Sequence, residues 1–289
     1  MHFPTDVHQR IRNGSQKHMK FETVNAAMKT QPWGITEEQG RLIYDFILRT
    51  KPAEILELGT GVGTSSCYMA AALDELGAGR ITTIDRNPDL PEWLRKSFSK
   101  ADPALLRFVE IVTTTSSYND ALLARIEAQT QSGICEPCLD FCYIDGAHTW
   151  ADDGFAFFLA DKLLKPGGWM LFDDMAWTIA GSAEASKEAW TQAMSPELCA
   201  TMQVTKVFDL LVAPHPSYDH LVKAGDWGWA QKKTADGMPQ ENTAKALYTP
   251  PGLKDEVLAV ARKVMRRLLS GITGRAPGAS HAREKKAKD

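Results

Sequence analysis

Long apolar runs are missing from this chain of 289 residues. No stretch reaches the roughly 20 consecutive apolar residues a helix needs to cross a bilayer, so no membrane span is expected. The first twenty residues, MHFPTDVHQRIRNGSQKHMK, lack the apolar centre of a secretory signal, and the expected location is cytoplasmic. Cysteine is scarce and odd in number, 5 in all. That excludes a disulfide framework and fits a reducing compartment. Cys135 and Cys138 form a C-x-x-C with Cys142 nearby, but no second pair completes a four-ligand zinc site, so reduced thiols are expected. A surplus of one charge is missing too: the net charge is −3 and the isoelectric point about 6.2. Nucleic acid is therefore not an expected partner of the chain as a whole.

What is present is alternation. Between about Thr36 and Lys233 short apolar runs take turns with helical patterns. AEILELG, RITTID, RFVEIV, LDFCYID and WMLFDD read as five strands. TSSCYMAAALDEL, LPEWLRKSFSK, YNDALLARIEAQ, WADDGFAFFLADKLL and SAEASKEAWTQAM read as the helices that follow them, the fourth stopped at Pro166-Gly167-Gly168. Such a pattern builds right-handed βαβ units and a mainly parallel sheet with helices on both faces. VTKVFDLLVA and DWGWAQKK read as two further strands joined by the loop PHPSYDHLVKAG, a final hairpin that places one antiparallel strand in the sheet.

Three segments are expected. Residues 1–35 form an N-terminal segment suited to a lid or to substrate recognition. Residues 36–233 form the α/β domain. Residues 234–289 form an extension with one amphipathic helix, on which Leu253, Val257, Val264 and Leu268 share a face, and a basic tail.

ELGTGVGTS leaves the first strand and opens a helix. Gly59, Gly61 and Gly63 allow close backbone approach to a ligand, and the helix start adds free N–H groups. In a doubly wound sheet this is the position of a nucleotide site. The spacing is G-x-G-x-G, with Thr64 where a dinucleotide fingerprint places its third glycine. Glu57 precedes the loop and suits a cationic ligand group. Asp85 closes the second strand, where a carboxylate can accept the hydroxyls of a ribose.

EILELGTGVGTS, TTIDRNP and IDGAH…LLKPGGWMLFDD together resemble the class I S-adenosylmethionine-dependent methyltransferases. The resemblance implies a Rossmann-like sheet of seven strands, mostly parallel with a reversed last strand. It implies that Glu57 and the loop Gly59, Thr60, Gly61, Gly63 and Thr64 hold the amino-acid end of S-adenosylmethionine. Asp85, with Arg86 beside it, would bind the ribose, and Ser116, in the stretch Thr113 to Ser117, would lie near the adenine.

Two strands end in acid. Asp145 closes the fourth, and Asp173 and Asp174 close the fifth. If the two are neighbours, their ends lie about 5 Å apart. Carboxylates that close repel and shift one another's pKa, and a divalent cation relieves this. An all-oxygen set points to Mg²⁺, or to Mn²⁺ or Ca²⁺. The competing reading has Asp145 touching substrate or cofactor, with Asp173 and Asp174 capping the next loop without metal. IDGAH with FDDMAW resembles the metal-dependent O-methyltransferases of catechol and macrolide-sugar type. That likeness makes His148 the candidate base, against the plainer reading of a histidine at the start of the following helix. The expected reaction is transfer of a methyl group to a hydroxyl of a small molecule: a sugar, macrolide-like or catechol-like acceptor. The alternatives are a related Mg²⁺-dependent hydroxylase-type enzyme on the same fold, an NAD-dependent oxidoreductase, and a noncatalytic binding protein. The expected partner is the small-molecule acceptor, with a homo-oligomer left open.

Overall fold

A computed structural model of the chain describes residues 20–31 and 34–234. The amphipathic helix and basic tail expected at 234–289, and most of the expected N-terminal segment, lie outside the described residues. Among the described residues no helix is long and apolar enough to cross a membrane.

Seven strands form one sheet: β1 (Glu54–Leu58), β2 (Arg80–Asp85), β3 (Val109–Thr113), β4 (Leu139–Ile144), β5 (Leu164–Phe172), β6 (Tyr218–Ala224) and β7 (Trp227–Lys232). Their order is β3-β2-β1-β4-β5-β7-β6. Every pairing is parallel except those of β7, which runs against both β5 and β6. The order reverses at β1, where the chain goes outward first to one side and then to the other, and a crevice opens at the carboxyl ends of the strands there.

Helices cover both faces. One face carries α1 (residues 20–28), α2 (Glu37–Thr50), α3 (Thr64–Leu76) and α4 (Leu90–Ala101). The other carries α5 (Tyr118–Gln129), α6 (Trp150–Leu163) and α7 (Gln203–Val207). Local sequence explains the boundaries. Thr36 and Gln39 close a reciprocal capping box at the start of α2. Asp102, Ser117 and Thr149 cap the turns that follow them. In α3 the first ten residues, Thr64 to Leu73, are all buried, so small side chains such as Ala70, Ala71 and Ala72 let the helix lie close on the sheet. The first described helix is packed against the domain as well. Phe21, Val24 and Met28 share a face of α1 and are buried, and Phe21 packs against Tyr44 and Tyr68 at 5.4 Å. Burying each such side chain contributes about 1.5–3 kcal/mol.

Two expectations fail in the second half. SAEASKEAWTQAM is not a helix: residues 182–194 form turns with one short 3₁₀ stretch, Ala185–Lys187. Most of its side chains are exposed, so no apolar stripe ties a helix to the sheet; the Thr191 hydroxyl donates instead to the carbonyls of Ala185 and Glu188. VTKVFDLLVA is not a strand: Gln203–Val207 is α-helical and Phe208–Val212 continues it as a π turn. Val204, Val207, Phe208 and Val212 are buried on one side at helical spacing, and that tertiary stripe overrides the β propensity of valine. The penultimate strand is YDHLVKA, read from sequence as loop. It is an edge strand with an irregular register between Asp219 and Val222, and its polar alternation hides it. The reversed β7 is where the sequence placed it.

Candidate active site

Backbone hydrogen bonds carry the sheet pattern past the strand ends. Gly59 N–H donates to Ile84 O, Asp145 N–H to Leu58 O, and Asp173 N–H to Ile144 O, at 2.8–3.0 Å. That register sets the glycine loop, Asp145 and Asp173 side by side along the carboxyl edge. Gly59 has φ +85°, and a Cβ there would lie 1.8 Å from the carbonyl oxygen of Asp145, so no other residue fits. Gly63 is left-handed as well, at φ +80°, and starts α3.

A cavity of about 720 Å³ opens along this edge. Its wall includes Gly59, Thr60, Gly61, Thr64 and Asp85 on one side, and Asp145, His148, Asp173, Asp174 and Asp226 on the other. A smaller lobe of about 110 Å³ shares Gly59, Asp85 and Arg86 with it and is lined by Ser116 and Tyr118. Glu57 does not line either. It is fully buried and accepts hydrogen bonds from the hydroxyls of Ser65, Ser66 and Thr83. Burial pushes its carboxyl above the usual range, against the pull of those donors. Glu57 thus ties β1, β2 and the first turn of α3 together beneath the loop. Asp85 has a mixed role. Its Oδ2 accepts from the N–H groups of Thr60 (2.9 Å) and Gly61 (3.2 Å), and its Oδ1 from Asn87 N–H (2.9 Å). A carboxylate has about four acceptor positions, so Asp85 steadies the loop and keeps capacity for a ligand hydroxyl. Thr64 lines the cavity, and its Oγ1 is buried with no hydrogen-bond partner among the described residues.

The acid side is tightly wired. His148 Nε2 lies 3.2 Å from Asp145 Oδ1 and 3.1 Å from Asp174 Oδ2. Its ring is edge-on to Trp177, with centroids 5.1 Å apart. His148 and Asp174 both sit at φ +55°, a backbone state uncommon outside glycine and often kept at functional sites. Asp173 is buried and accepts from Tyr143 OH, from Trp227 Nε1 (2.7 Å) and from Asp174 N–H (2.7 Å). It therefore has less acceptor capacity left than Asp145 or Asp174. Two trios of ligand atoms lie within 4.8 Å of one another: Asp145, His148 and Asp174; and Asp173, Asp174 and Asp226. Asp226 was not anticipated from sequence. It sits in the tight turn between β6 and β7, where its Oδ1 accepts from Ala176 N–H at 2.5 Å. A single aspartate in a two-residue turn carries no signal by itself; only the reversed strand brings it here.

Electrostatics report crowding. Burial, followed by the charge of Asp173, lifts the Asp145 carboxyl well above its usual range. Burial lifts Asp173 to about 6 and moves Asp174 upward. Burial disfavours a charged His148 ring, but the hydrogen bond and charge of Asp145, with the charges of Asp174 and Asp153, win and hold its pKa at about 9. Burial is the first cause for each carboxylate, so their ionised forms need an opposite charge close by. The oxygen donors of Asp145, Asp173, Asp174 and Asp226 are of the kind that would suit a divalent cation such as Mg²⁺.

Comparisons with known proteins agree with this geometry. Residues 56–175 match a family model described as a methyltransferase domain. A search of curated proteins found no match. Among solved structures, the O-methyltransferase TomG from Streptomyces achromogenes, in complex with S-adenosylmethionine, is similar at 21% identity and TM-score 0.52, over 74% of this chain and 89% of that one. The O-methyltransferase from Bacillus cereus, in complex with the demethylated cofactor, matches at 21% identity and TM-score 0.51, over 75% and 91%. A methyltransferase from Podospora anserina, bound to the same product, matches at 17% identity and TM-score 0.53, over 81% and 97%. The described unit accordingly has the fold of these methyltransferases, and its residues 56–175 match the methyltransferase-domain model.

Proposed function

We propose that the chain transfers a methyl group from S-adenosylmethionine to a hydroxyl of a small molecule, with Mg²⁺ or a similar cation at the acid cluster and His148 as base. One observation carries this reading: His148 and the carboxylates of Asp145 and Asp174 face the same cavity as the glycine loop and Asp85. Two of the similar structures described above are named O-methyltransferases, which supports oxygen as the acceptor atom.

The chain's residues have separable tasks. Gly59, Thr60, Gly61, Thr64 and Asp85, with Arg86 and Ser116 further along, form the wall that would hold the cofactor; Gly63 and Glu57 shape that wall from behind. Asp145 and Asp174, with Asp173 and Asp226 beside them, supply the oxygen ligands for the cation. A bound cation supplies Lewis-acid charge that lowers the pKa of a coordinated hydroxyl and orients it. Asp145 and Asp174 would be the groups to ligate the cation, and His148, whose Nε2 lies 3.1–3.2 Å from both carboxylates, would be placed to take the hydroxyl proton. The acceptor oxygen then forms the C–O bond as the S–CH₃ bond breaks. The electron pair stays on sulfur and the hydroxyl proton passes to His148. Trp177 stands edge-on to the imidazole.

The test is methyl transfer from labelled S-adenosylmethionine to a panel of vicinal diols, sugars and catechols, with Mg²⁺ and with chelator. Label should appear as an O-methyl ether only with metal. Full transfer in chelator removes the cation from the scheme. Cofactor binding without transfer to any acceptor favours the noncatalytic alternative.

A further inference from the structure

Between Asp145 and the start of α6 the chain makes the turn that carries His148. Two buried groups beside that turn have no part in the scheme above. Tyr118, the first residue of α5, and Asp153, in the first turn of α6, are only 8% and 1% exposed. The Tyr118 hydroxyl donates to Asp153 Oδ1. The same hydroxyl accepts from the Ala147 N–H at 3.4 Å. Burial pushes the phenol above its usual range, so it keeps its proton and stays the donor to Asp153. Burial also raises the Asp153 carboxyl, against the pull of the Tyr118 hydrogen bond, the charge of His148 and the Ala147 N–H.

The Tyr118 ring meets the turn as well. A Cβ at Gly146 would run into that ring, and a Cβ at Gly59 would lie 2.8 Å from Gly146 Cα. The backbone of residues 145–147 is thus in close contact with both the glycine loop and Tyr118. His148 follows at φ +55°, a state that a residue other than glycine keeps only where its surroundings over-determine it. The ends of the turn have their own anchors: Asp145 N–H donates to Leu58 O at 2.8 Å, and Thr149 caps α6. Ala147, in the middle and next to His148, is held by Tyr118.

We propose that Tyr118 is a positioning residue for His148: its hydroxyl, anchored on Asp153, fixes the Gly146–Ala147 backbone and so aims the imidazole at Asp145, Asp174 and Trp177. For its effect on rate the inference rests on the reading of His148 as the base of methyl transfer; for the placement of the ring it does not. Packing against Gly146 only stops the turn from moving inward. The hydrogen bond also stops it from moving away and orients the Ala147 peptide, because N–H···O bonds weaken steeply off line. A base displaced by about 1 Å from the proton it takes costs about 10²-fold in rate.

The test reads the ring directly, by nuclear magnetic resonance on the full chain without metal. The His148 and Trp177 rings lie 5.1 Å apart, centroid to centroid, so a nuclear Overhauser cross-peak joins their protons. Y118F removes one oxygen and should lose that cross-peak. D153A, which takes away the anchor, should lose it too, and D153N, which keeps an acceptor for the phenol, should retain it. Near-UV circular dichroism shows which variants are folded; if Y118F is not, D153A against D153N decides. A merely structural role lowers Tm and leaves the cross-peak in the folded protein. The cross-peak at wild-type strength in Y118F or D153A, or its loss from D153N as fully as from D153A, therefore overturns the proposal. Turnover is read separately, with labelled S-adenosylmethionine, Mg²⁺ and a panel of vicinal diols, sugars and catechols. Y118F keeps the ring that lines the smaller lobe, so kcat should fall about 10–100-fold with KM for S-adenosylmethionine within about twofold. Wild-type kcat in Y118F overturns the proposal. Loss of the cross-peak in Y118F, with no acceptor methylated by the wild type, removes the O-methyltransferase reading and leaves Tyr118 as the residue that places the ring.

Discussion

Glu57 offers a sharp test of how the glycine loop is supported. The family resemblance implies that it helps hold the amino-acid end of the cofactor; the structure has it under the loop, accepting from Ser65, Ser66 and Thr83. The two placements differ in what Glu57→Gln does. The amide keeps the shape and one acceptor oxygen, and its NH₂ finds hydroxyls that can rotate to accept. What is lost is the charge on three hydrogen bonds, a net of about 2 kcal/mol for a buried network. In a domain of this size that lowers Tm by about 4–8 °C. Affinity for S-adenosylmethionine should fall by less than about threefold, because the side chain does not reach the cavity wall. If the carboxylate instead held the cofactor's ammonium, losing one charge-assisted hydrogen bond would cost about 1.5–3 kcal/mol of binding, or roughly 10–150-fold. Thermal unfolding and calorimetric titration on the same sample separate the cases. A tenfold loss of affinity with unchanged Tm refutes the buried-strut account.

Four further outcomes are expected. Asp85→Asn should weaken S-adenosylmethionine binding by about 1–3 kcal/mol in calorimetry, through lost hydroxyl acceptance and a looser loop at Thr60 and Gly61; unchanged affinity would detach the second-strand acid from the cofactor. Asp174→Ala, which belongs to both ligand trios, should weaken Mn²⁺ binding read by electron paramagnetic resonance more than Asp173→Asn, whose carboxylate is already committed to Tyr143 and Trp227; the opposite order would reassign the ligands. His148→Ala should lower kcat about 10²–10⁴-fold with cofactor affinity nearly unchanged; wild-type kcat in this variant would leave activation to the cation alone. In chelator the His148 pKa of about 9 lies above its ordinary 6.5, so its contribution to stability is full below about pH 6.5 and is lost as pH rises through about 9. Tm of the metal-free protein should therefore fall across that window, and His148→Ala should flatten the fall.

The side of the cavity that carries the glycine loop was legible because its signals are local. Gly59, Gly61, Gly63 and Asp85 are punctuation around strand ends, and strands such as EILEL and LDFCYI are apolar runs that only a central strand needs. The acids Asp145, Asp173 and Asp174 could be placed together only on the condition that β4 and β5 are neighbours, which the sheet order meets. Beyond Asp174 the determinants become tertiary. Val204 to Val212 reads as a strand by residue type and becomes a helix because its buried side chains fall on one stripe. Residues 182–194 read as a helix by propensity, but most of its side chains face solvent. Asp226 and the Glu184–Trp190 stretch reach the cavity only through these folded connections, so no spacing in the sequence announces them.

The reversal of β7 has an architectural consequence. Parallel strands deliver only their carboxyl ends to the crevice, so every residue they contribute must lie just after a strand. An antiparallel strand delivers its beginning to that same edge. The turn at Gly225-Asp226 is therefore the one place in the sheet where a side chain preceding a strand, Asp226, and one opening it, Trp227, both meet residues that follow β5. The cavity wall from Gly59 to Arg86 comes from the first third of the described chain, and the acid wall from elements as late as β7. Among the described residues, the segment from Gly225 onward makes none of the hydrogen bonds that hold the glycine loop and Asp85. A chain cut before Gly225 is a different matter for the acid wall and the core. It would lose the indole that fixes Asp173, the carboxylate beside Asp174, and the neighbour that covers β5. On the proposed function, cofactor recognition and acceptor activation are thus separable by position along the chain, although they face each other across a single cavity.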